Sequence, residues 1–318
     1  MDFLIKNQCV LDINLGMSDD WVIITHKGCR DGFGAAWVAH HYFKSQNIKT
    51  HKFLCADPSN IDDLCTQLDA INNIASKTVI SFDVGFTVTD FFKVKKRCPT
   101  FMFYDHHVTS YRSFIDHYKI PGAFPEGFNF NNNKSGVMLA WDYFFPMLTP
   151  PKLLLYVEDR DLWRFKLPDS RAINNGLFLD NDFDAWDRFI TDEHKSLETA
   201  KKIGQLLHEK QQTYFQRMLS LGKVVSIDGL RAFVINSTAN ISEFGEYIYN
   251  LKDDDDNSIC DYAFIWRFDM IDNKFKVSLR SHKDSNVDVS NVAKKYGGGG
   301  HVNASGFAVD DIFEIIKN

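Results

Sequence analysis

Residues 100–107 read Thr100-Phe101-Met102-Phe103-Tyr104-Asp105-His106-His107, an apolar β-type run that ends in one carboxylate and two imidazoles. A strand closing on such a tripeptide puts hard and borderline metal ligands at the rim of a sheet, where open α/β proteins collect their chemistry. One carboxylate with two imidazoles suits Mn²⁺, Fe²⁺ or Zn²⁺ better than Ca²⁺. Alone, the tripeptide reads equally well as a solvated His-rich loop. Three other segments repeat the arrangement and shift that balance. Trp21-Val22-Ile23-Ile24 leads into Thr25-His26-Lys27-Gly28-Cys29-Arg30-Asp31-Gly32; Thr78-Val79-Ile80-Ser81-Phe82 leads into Asp83. Leu153-Leu154-Leu155-Tyr156-Val157 leads into Glu158-Asp159-Arg160-Asp161, although that run also reads as the end of a helix. Chance would scatter Asp and His on both sides of such runs; here they follow them.

Outward from these runs, residues 21–167 alternate strand and helix patterns. Helices are expected over 33–43, from Asn60 through Ile71, and from Ser135, a candidate N-cap, onward. The fold class is therefore α/β, a mostly parallel sheet with flanking helices. The Gly-, Pro-, Phe- and Asn-rich stretch 121–134 reads as a loop. Residues 192–221 carry apolar positions at near-helical spacing without heptads and are read as a helical connector that packs on the first domain. Beyond Gly222 come β runs at 223–227, 230–235, 262–268 and 275–280, with Asp228-Gly229 a strong two-residue hairpin signal. Asp253–Asp256 reads as a solvated loop tip, since it lacks the spacing of an EF-hand. The expected organisation is a metal-binding catalytic domain at 1–190, a connector at 191–221 and a smaller α/β substrate-binding domain at 222–318.

At 318 residues, two domains are the default. A hydrophobic content of 44% and a charged content of 25% are those of an ordinary globular chain. No apolar stretch approaches the ~18 residues of a membrane span, and the start Met1-Asp2-Phe3-Leu4-Ile5-Lys6 lacks the features of a signal peptide. Six cysteines at 9, 29, 55, 65, 98 and 260 form no CxxC pair, which fits a reducing, cytoplasmic setting. The net charge of −6 argues against long duplex nucleic acid as partner but not against a small phosphorylated substrate or a short oligonucleotide.

His26, Asp31, Asp83, His106 and Asp159 make a coherent ligand set for two divalent cations. Two such ions roughly 3.5–4 Å apart activate a water and clamp a phosphoryl oxygen, with no protein nucleophile required. Asp83, alone after its strand, is the natural bridging carboxylate. His107 is expected to diverge from His106 on an extended backbone and to meet the substrate or leaving group instead. Asp105 is placed as the partner that orients an imidazole. A second constellation, Tyr296-Gly297-Gly298-Gly299-Gly300-His301 with Ala304-Ser305-Gly306, disfavours regular structure and lets main-chain N–H groups approach an anion. Gly298, Gly299, Gly300 and His301 are the candidate substrate-binding residues there, with Arg280 as an added phosphate contact.

In this order the residues resemble the DHH phosphoesterase superfamily, with RecJ-like and nanoRNase-like relatives. The C-terminal part resembles its DHH-associated domain, so the likeness covers nearly the whole chain. It implies a two-domain α/β protein with the active site in the cleft between domains and Mn²⁺-dependent hydrolysis. By motif position, it implies His26, Asp31, Asp83, His106 and Asp159 as metal ligands and His107, Arg280 and His301 as substrate contacts. One residue departs from the pattern. Cys29 stands where the family's first motif carries an Asp, and His26 is one residue nearer. Three roles stay open to it: metal ligand, cause of a weakened second site, or pocket lining. The resemblance implies a metal-dependent phosphodiesterase for short oligonucleotides or cyclic and linear dinucleotides. Its alternatives are a pyrophosphatase or polyphosphatase, and a nucleotide-binding protein with weakened catalysis.

Overall fold

A computed structural model of the chain describes residues 20–119, 124–179 and 182–317. The start Met1–Lys6, Cys9 and part of the 121–134 stretch lie outside the described residues. Two compact units meet in sequence at His208/Glu209.

The first unit is built on five parallel strands: β1 Trp21–His26, β2 His51–Ala56, β3 Thr78–Phe82, β4 Met102–Asp105 and β5 Phe128–Phe130. Their order is β2-β1-β3-β4-β5. The strand order therefore reverses at β1, and the carboxyl ends of β1 and β3 flank the switch point at which α/β sheets hold ligands. β3 and nearly all of β1 are buried along their length, because helices cover both faces. Trp21, Ile23, Ile80 and Phe82 enter one core, and Val22, Ile24 and Val79 enter the other. This is the two-residue alternation of a strand read through to both sides.

The helices of this unit are α1 Arg30–Ser45, α2 Ile61–Asp69, α3 Val88–Arg97, α4 Val108–Tyr118, α5 Gly136–Phe144, α6 Lys152–Asp161, α7 Ser170–Gly176 and α8 Phe183–Thr191. Asn60 caps α2 by accepting from the Asp63 N–H, and Ser135 is the N-cap residue of α5. One sequence expectation changes and one open reading is resolved. The 121–134 stretch contains β5, whose Phe128 packs on Phe103 and Phe114 and so supplies the burial that orders an edge strand. Residues 153–157 belong to a helix, not a strand, and this alters which acidic residue reaches the sheet rim.

Helix α9, Glu193–Met218, occupies most of the stretch read as a helical connector and runs past the division at His208/Glu209. Its N-terminal half belongs to the first unit, where Gly204 and Gly176 allow two backbones to meet. A Cβ on Gly204 would strike the Ala172 carbonyl and lie 2.9 Å from the Gly176 nitrogen.

The second unit is a six-stranded sheet. It consists of β6 Lys223–Ile227, β7 Leu230–Asn236, β8 Tyr262–Asp269, β9 Lys274–Arg280, β10 Gly299–His301 and β11 Ala304–Val309, in the order β10-β11-β9-β8-β7-β6. All pairs are antiparallel except β7 with β8. Asp228 and Gly229 both have positive φ, the backbone a tight β6–β7 hairpin needs. Helix α10 Ile241–Tyr249 covers Ala263 and Ile265 on one face; α11 Val289–Lys295 covers Val277 and Leu279 on the other. A short α12, Phe313–Ile316, follows β11.

A Gly→Ala change inside a helix ordinarily stabilises by about 0.8–1 kcal/mol. Gly204→Ala is expected to do the reverse, costing about 1–3 kcal/mol through overpacking. A urea unfolding midpoint above wild type would contradict the close helix contact.

Candidate metal centre

Each site residue is delivered by the end of an element. His26 closes β1, and the chain turns through Gly28 at φ +72° into Cys29, the N-cap residue of α1. No side-chain capping hydrogen bond is made there. Asp31 sits in the first turn of α1. Asp83 follows β3 directly with φ +67°, a left-handed backbone that Asp and Asn tolerate better than other side chains. Asp105 ends β4, His106 follows, and His107 is the N-cap residue of α4. Asp161 ends α6.

These groups converge in a dry place. Asp31, Asp83, Asp105 and His106 are 0–3% exposed. His106 Nε2 lies 3.0 Å from Asp83 Oδ1, 3.6 Å from Asp161 Oδ2 and 4.0 Å from Asp31 Oδ2, and His26 Nδ1 is 3.7 Å from Asp83 Oδ2. Glycines make the crowding sterically possible. A Cβ on Gly136 would lie 2.8 Å from Asp31 Oδ2 and collide with the Asp83 side chain; one on Gly32 would lie 2.7 Å from the His26 carbonyl oxygen. The N-terminus of α5 also faces the cluster, where the Gly136 and Val137 N–H groups donate to the two oxygens of Asp31. Helix N-termini favour negative charge in this way.

The electrostatics show an excess of buried negative charge. Burial pushes the Asp31 carboxyl up, with Asp161 and Asp83 adding to it, and burial likewise raises Asp161. Burial also raises the Cys29 thiol, helped by Asp83, Asp161 and Asp31. Asp83 goes the other way. Burial opposes its ionisation, but the His106 hydrogen bond and the nearby His26 imidazole hold it well below the usual carboxylate range. Burial lowers His106, yet the Asp83 hydrogen bond and the surrounding carboxylates overcome it and push the imidazole up to about 10. Asp83 Oδ2 is buried with no hydrogen-bond partner. Buried charges are paired or coordinate metals.

Among the described residues, three triplets have donor atoms within 4.8 Å of one another: His26–Cys29–Asp83, Asp83–His106–His107 and Asp31–His106–Asp161. Asp83 and His106 each belong to two of them. Imidazole, carboxylate and thiol donors around an orphaned carboxylate oxygen fit divalent cations. His26, Cys29 and Asp83 would hold one ion; Asp31, His106 and Asp161 would hold another.

Of the residues proposed from sequence, the structure gathers His26, Cys29, Asp31, Asp83, His106 and His107 here and directs Asp159 elsewhere. The Asp159 carboxylate accepts from the Lys166 and Leu167 N–H groups and so orders the chain after α6. Because 153–161 is helical, positions 159 and 161 point roughly 200° apart, and Asp161 is the one beside His106. Sequence reasoning missed it for want of the helical period. It also missed Gly136, whose signal was a glycine immediately after a candidate N-cap. The expected divergence of His106 and His107 does not occur. Both lie beyond the last strand residue, and their ring centroids are 4.5 Å apart. Asp105 Oδ1 accepts from His107 Nδ1 at 2.7 Å, and burial, which lowers His107, is outweighed by that charge.

In the second unit, His301, Ala304 and Arg280 are direct cross-strand partners and therefore share one sheet face. Arg280 donates to Ser242 Oγ and the Leu279 carbonyl, and its Cγ packs over Gly245. Burial lowers the pKa of its guanidinium. The glycine run, expected to be irregular, is partly the edge strand β10. A Cβ on Gly298 would lie 2.8 Å from Phe307 Cα, and one on Gly300, at φ +136°, would lie 2.7 Å from Ser305 Cα. Close backbone contact with β11 therefore already requires glycine at both positions.

A ligand must be deprotonated to bind metal, so binding releases protons. At pH 8, an imidazole raised to about 10 carries its proton. Mn²⁺ added to metal-free protein at that pH should release about one proton or more per chain, seen as buffer-dependent heats in calorimetry and diminished in His106→Asn.

Residues 233–317 match the DHHA1 domain model. An uncharacterised protein, R106, of Acanthamoeba polyphaga mimivirus is 29% identical over 302 residues, covering 92% of this chain and 68% of that protein. Among solved structures, a pGpG-specific phosphodiesterase, PggH, from Vibrio cholerae aligns over 91% of this chain and 93% of its own at 14% identity and a TM-score of 0.45. RecJ from Thermus thermophilus, in complex with Mn²⁺, aligns over 92% of this chain and 50% of its own at 13% identity and a TM-score of 0.47. The chain thus carries a DHHA1 segment in its second unit, and with Asp105-His106-His107 at the rim of a parallel sheet it resembles the DHH superfamily.

Proposed function

We propose that the chain is a Mn²⁺-dependent phosphoesterase that hydrolyses a phosphodiester in short oligonucleotides or in linear or cyclic dinucleotides. The observation that carries this reading is the convergence of buried Asp31 and Asp83, and of the more exposed Asp161, on buried His106, with Asp83 Oδ2 left unsatisfied. Divalent ions bound there would supply Lewis acidity toward a phosphoryl oxygen and a water acidic enough to attack at neutral pH.

The chain's own residues do the rest. Asp83 sets the position of both imidazoles, His26 and His106, by accepting from the latter and lying beside the former. The α5 N-terminus holds Asp31 in one orientation by bonding both its oxygens. Asp105 fixes His107 through Nδ1 and favours its charged form, which suits the ring to donate a proton to a departing oxygen. In the second unit, Arg280 and His301 supply an anion-binding face. The net charge of −6 fits a short substrate, since a long polyanion needs a broad basic surface.

Full-length protein with Mn²⁺ should convert dinucleotides to mononucleotides, with products read by mass. Asp83→Ala should abolish turnover, and His301→Ala should raise KM more than it lowers kcat. Orthophosphate released from pyrophosphate, with dinucleotides untouched, would replace this reading by a pyrophosphatase. Ligand bound but unchanged after long incubation would replace it by a nucleotide-binding protein.

A further inference from the structure

We propose that Cys29 is a thiolate ligand that makes the two metal positions chemically unlike. The His26–Cys29–Asp83 position favours a borderline ion such as Zn²⁺ or Fe²⁺ over Mn²⁺ more strongly than the Asp31–His106–Asp161 position does. This deepens the function proposed above and rests on its metal centre.

Three observations support it. The donor atoms of His26, Cys29 and Asp83 lie within 4.8 Å of one another. Asp83, 1% exposed, keeps Oδ2 without a hydrogen-bond partner in that triplet. The other described cysteines occupy different settings: Cys65 and Cys98 are embedded in one apolar core and Cys260 in another, while Cys55 is exposed on β2. Those buried thiols behave as small hydrophobes. Cys29 instead has an imidazole and a carboxylate as neighbours. It also occupies an N-cap, a place where Ser, Asp or Asn serves the helix far better than a thiol can. Packing and capping therefore give no reason for sulfur at this position, whereas ligand chemistry does. Sulfur is soft and selects Zn²⁺, Co²⁺ or Fe²⁺ relative to Mn²⁺ and Mg²⁺, while a carboxylate-rich set suits the harder ions. Three protein donors are also the complement of catalytic zinc sites, which leave a position for water or substrate.

The test is cobalt substitution of the metal-free full chain under reducing conditions. The expected result is a near-ultraviolet thiolate-to-cobalt charge-transfer band. It should be lost in both Cys29→Ser and Cys29→Asp, while the visible bands of cobalt at the remaining position persist. Cys29→Asp should also weaken Zn²⁺ binding by about tenfold or more relative to Mn²⁺. Cobalt bound with visible bands but no charge-transfer band in the wild type would overturn the proposal and leave the metal centre standing. So would an unchanged Zn²⁺ to Mn²⁺ preference in Cys29→Asp. Failure of the wild type to bind cobalt or manganese at all would remove both readings.

Discussion

Repulsion among clustered carboxylates, two of them buried, is the constraint on which the rest of the first unit depends. Asp31, Asp83 and Asp161 all approach one imidazole, His106, at the rim of the parallel sheet. In a low-dielectric setting like charges at such distances cannot all persist without compensation. The chain provides some: two N–H groups at the start of α5, and the positive charge that His106 takes on. The deficit that remains is an affinity for cations. Binding an ion to the folded form alone would also raise stability by mass action, and the centre would then tie folding to metal supply.

The strands and the Asp or His residues that follow them were legible because the signal is local. A run such as Trp21–Ile24 or Thr78–Phe82, with apolar residues at both odd and even positions, fits a strand covered on both faces, and that already implies flanking helices and a parallel sheet. The Asp or His that follows then lies at the carboxyl edge by construction. The Asp228-Gly229 hairpin was legible for the same reason, since few residue pairs accept two positive φ values. Asp159 and Asp161 were not separable on this logic. Their assignment depends on whether Leu153–Val157 is helix or strand, and a five-residue apolar run is compatible with both. Once the helix is known, the two carboxylates take opposite tasks: one orders the following loop, the other joins the site.

The glycine run shows a different limit. Four successive glycines read as a place where backbone meets ligand, yet Gly298 and Gly300 are already demanded by their approach to Phe307 and Ser305. Sequence records that a side chain is forbidden without recording what forbids it. The strand register does add something that composition could not: it puts His301 and Arg280 on one face, two strands apart.

The left-handed backbone of Asp83 has an evolutionary corollary. Position 83 filters replacements twice, once for negative charge and once for a conformation that nearly every side chain except Gly, Asn and Asp resists. Glutamate satisfies the first filter and fails the second; asparagine does the opposite. A lineage that lost this carboxylate could return to it through asparagine by a change that leaves the main chain undisturbed, whereas a passage through alanine would first have to carry the conformational strain.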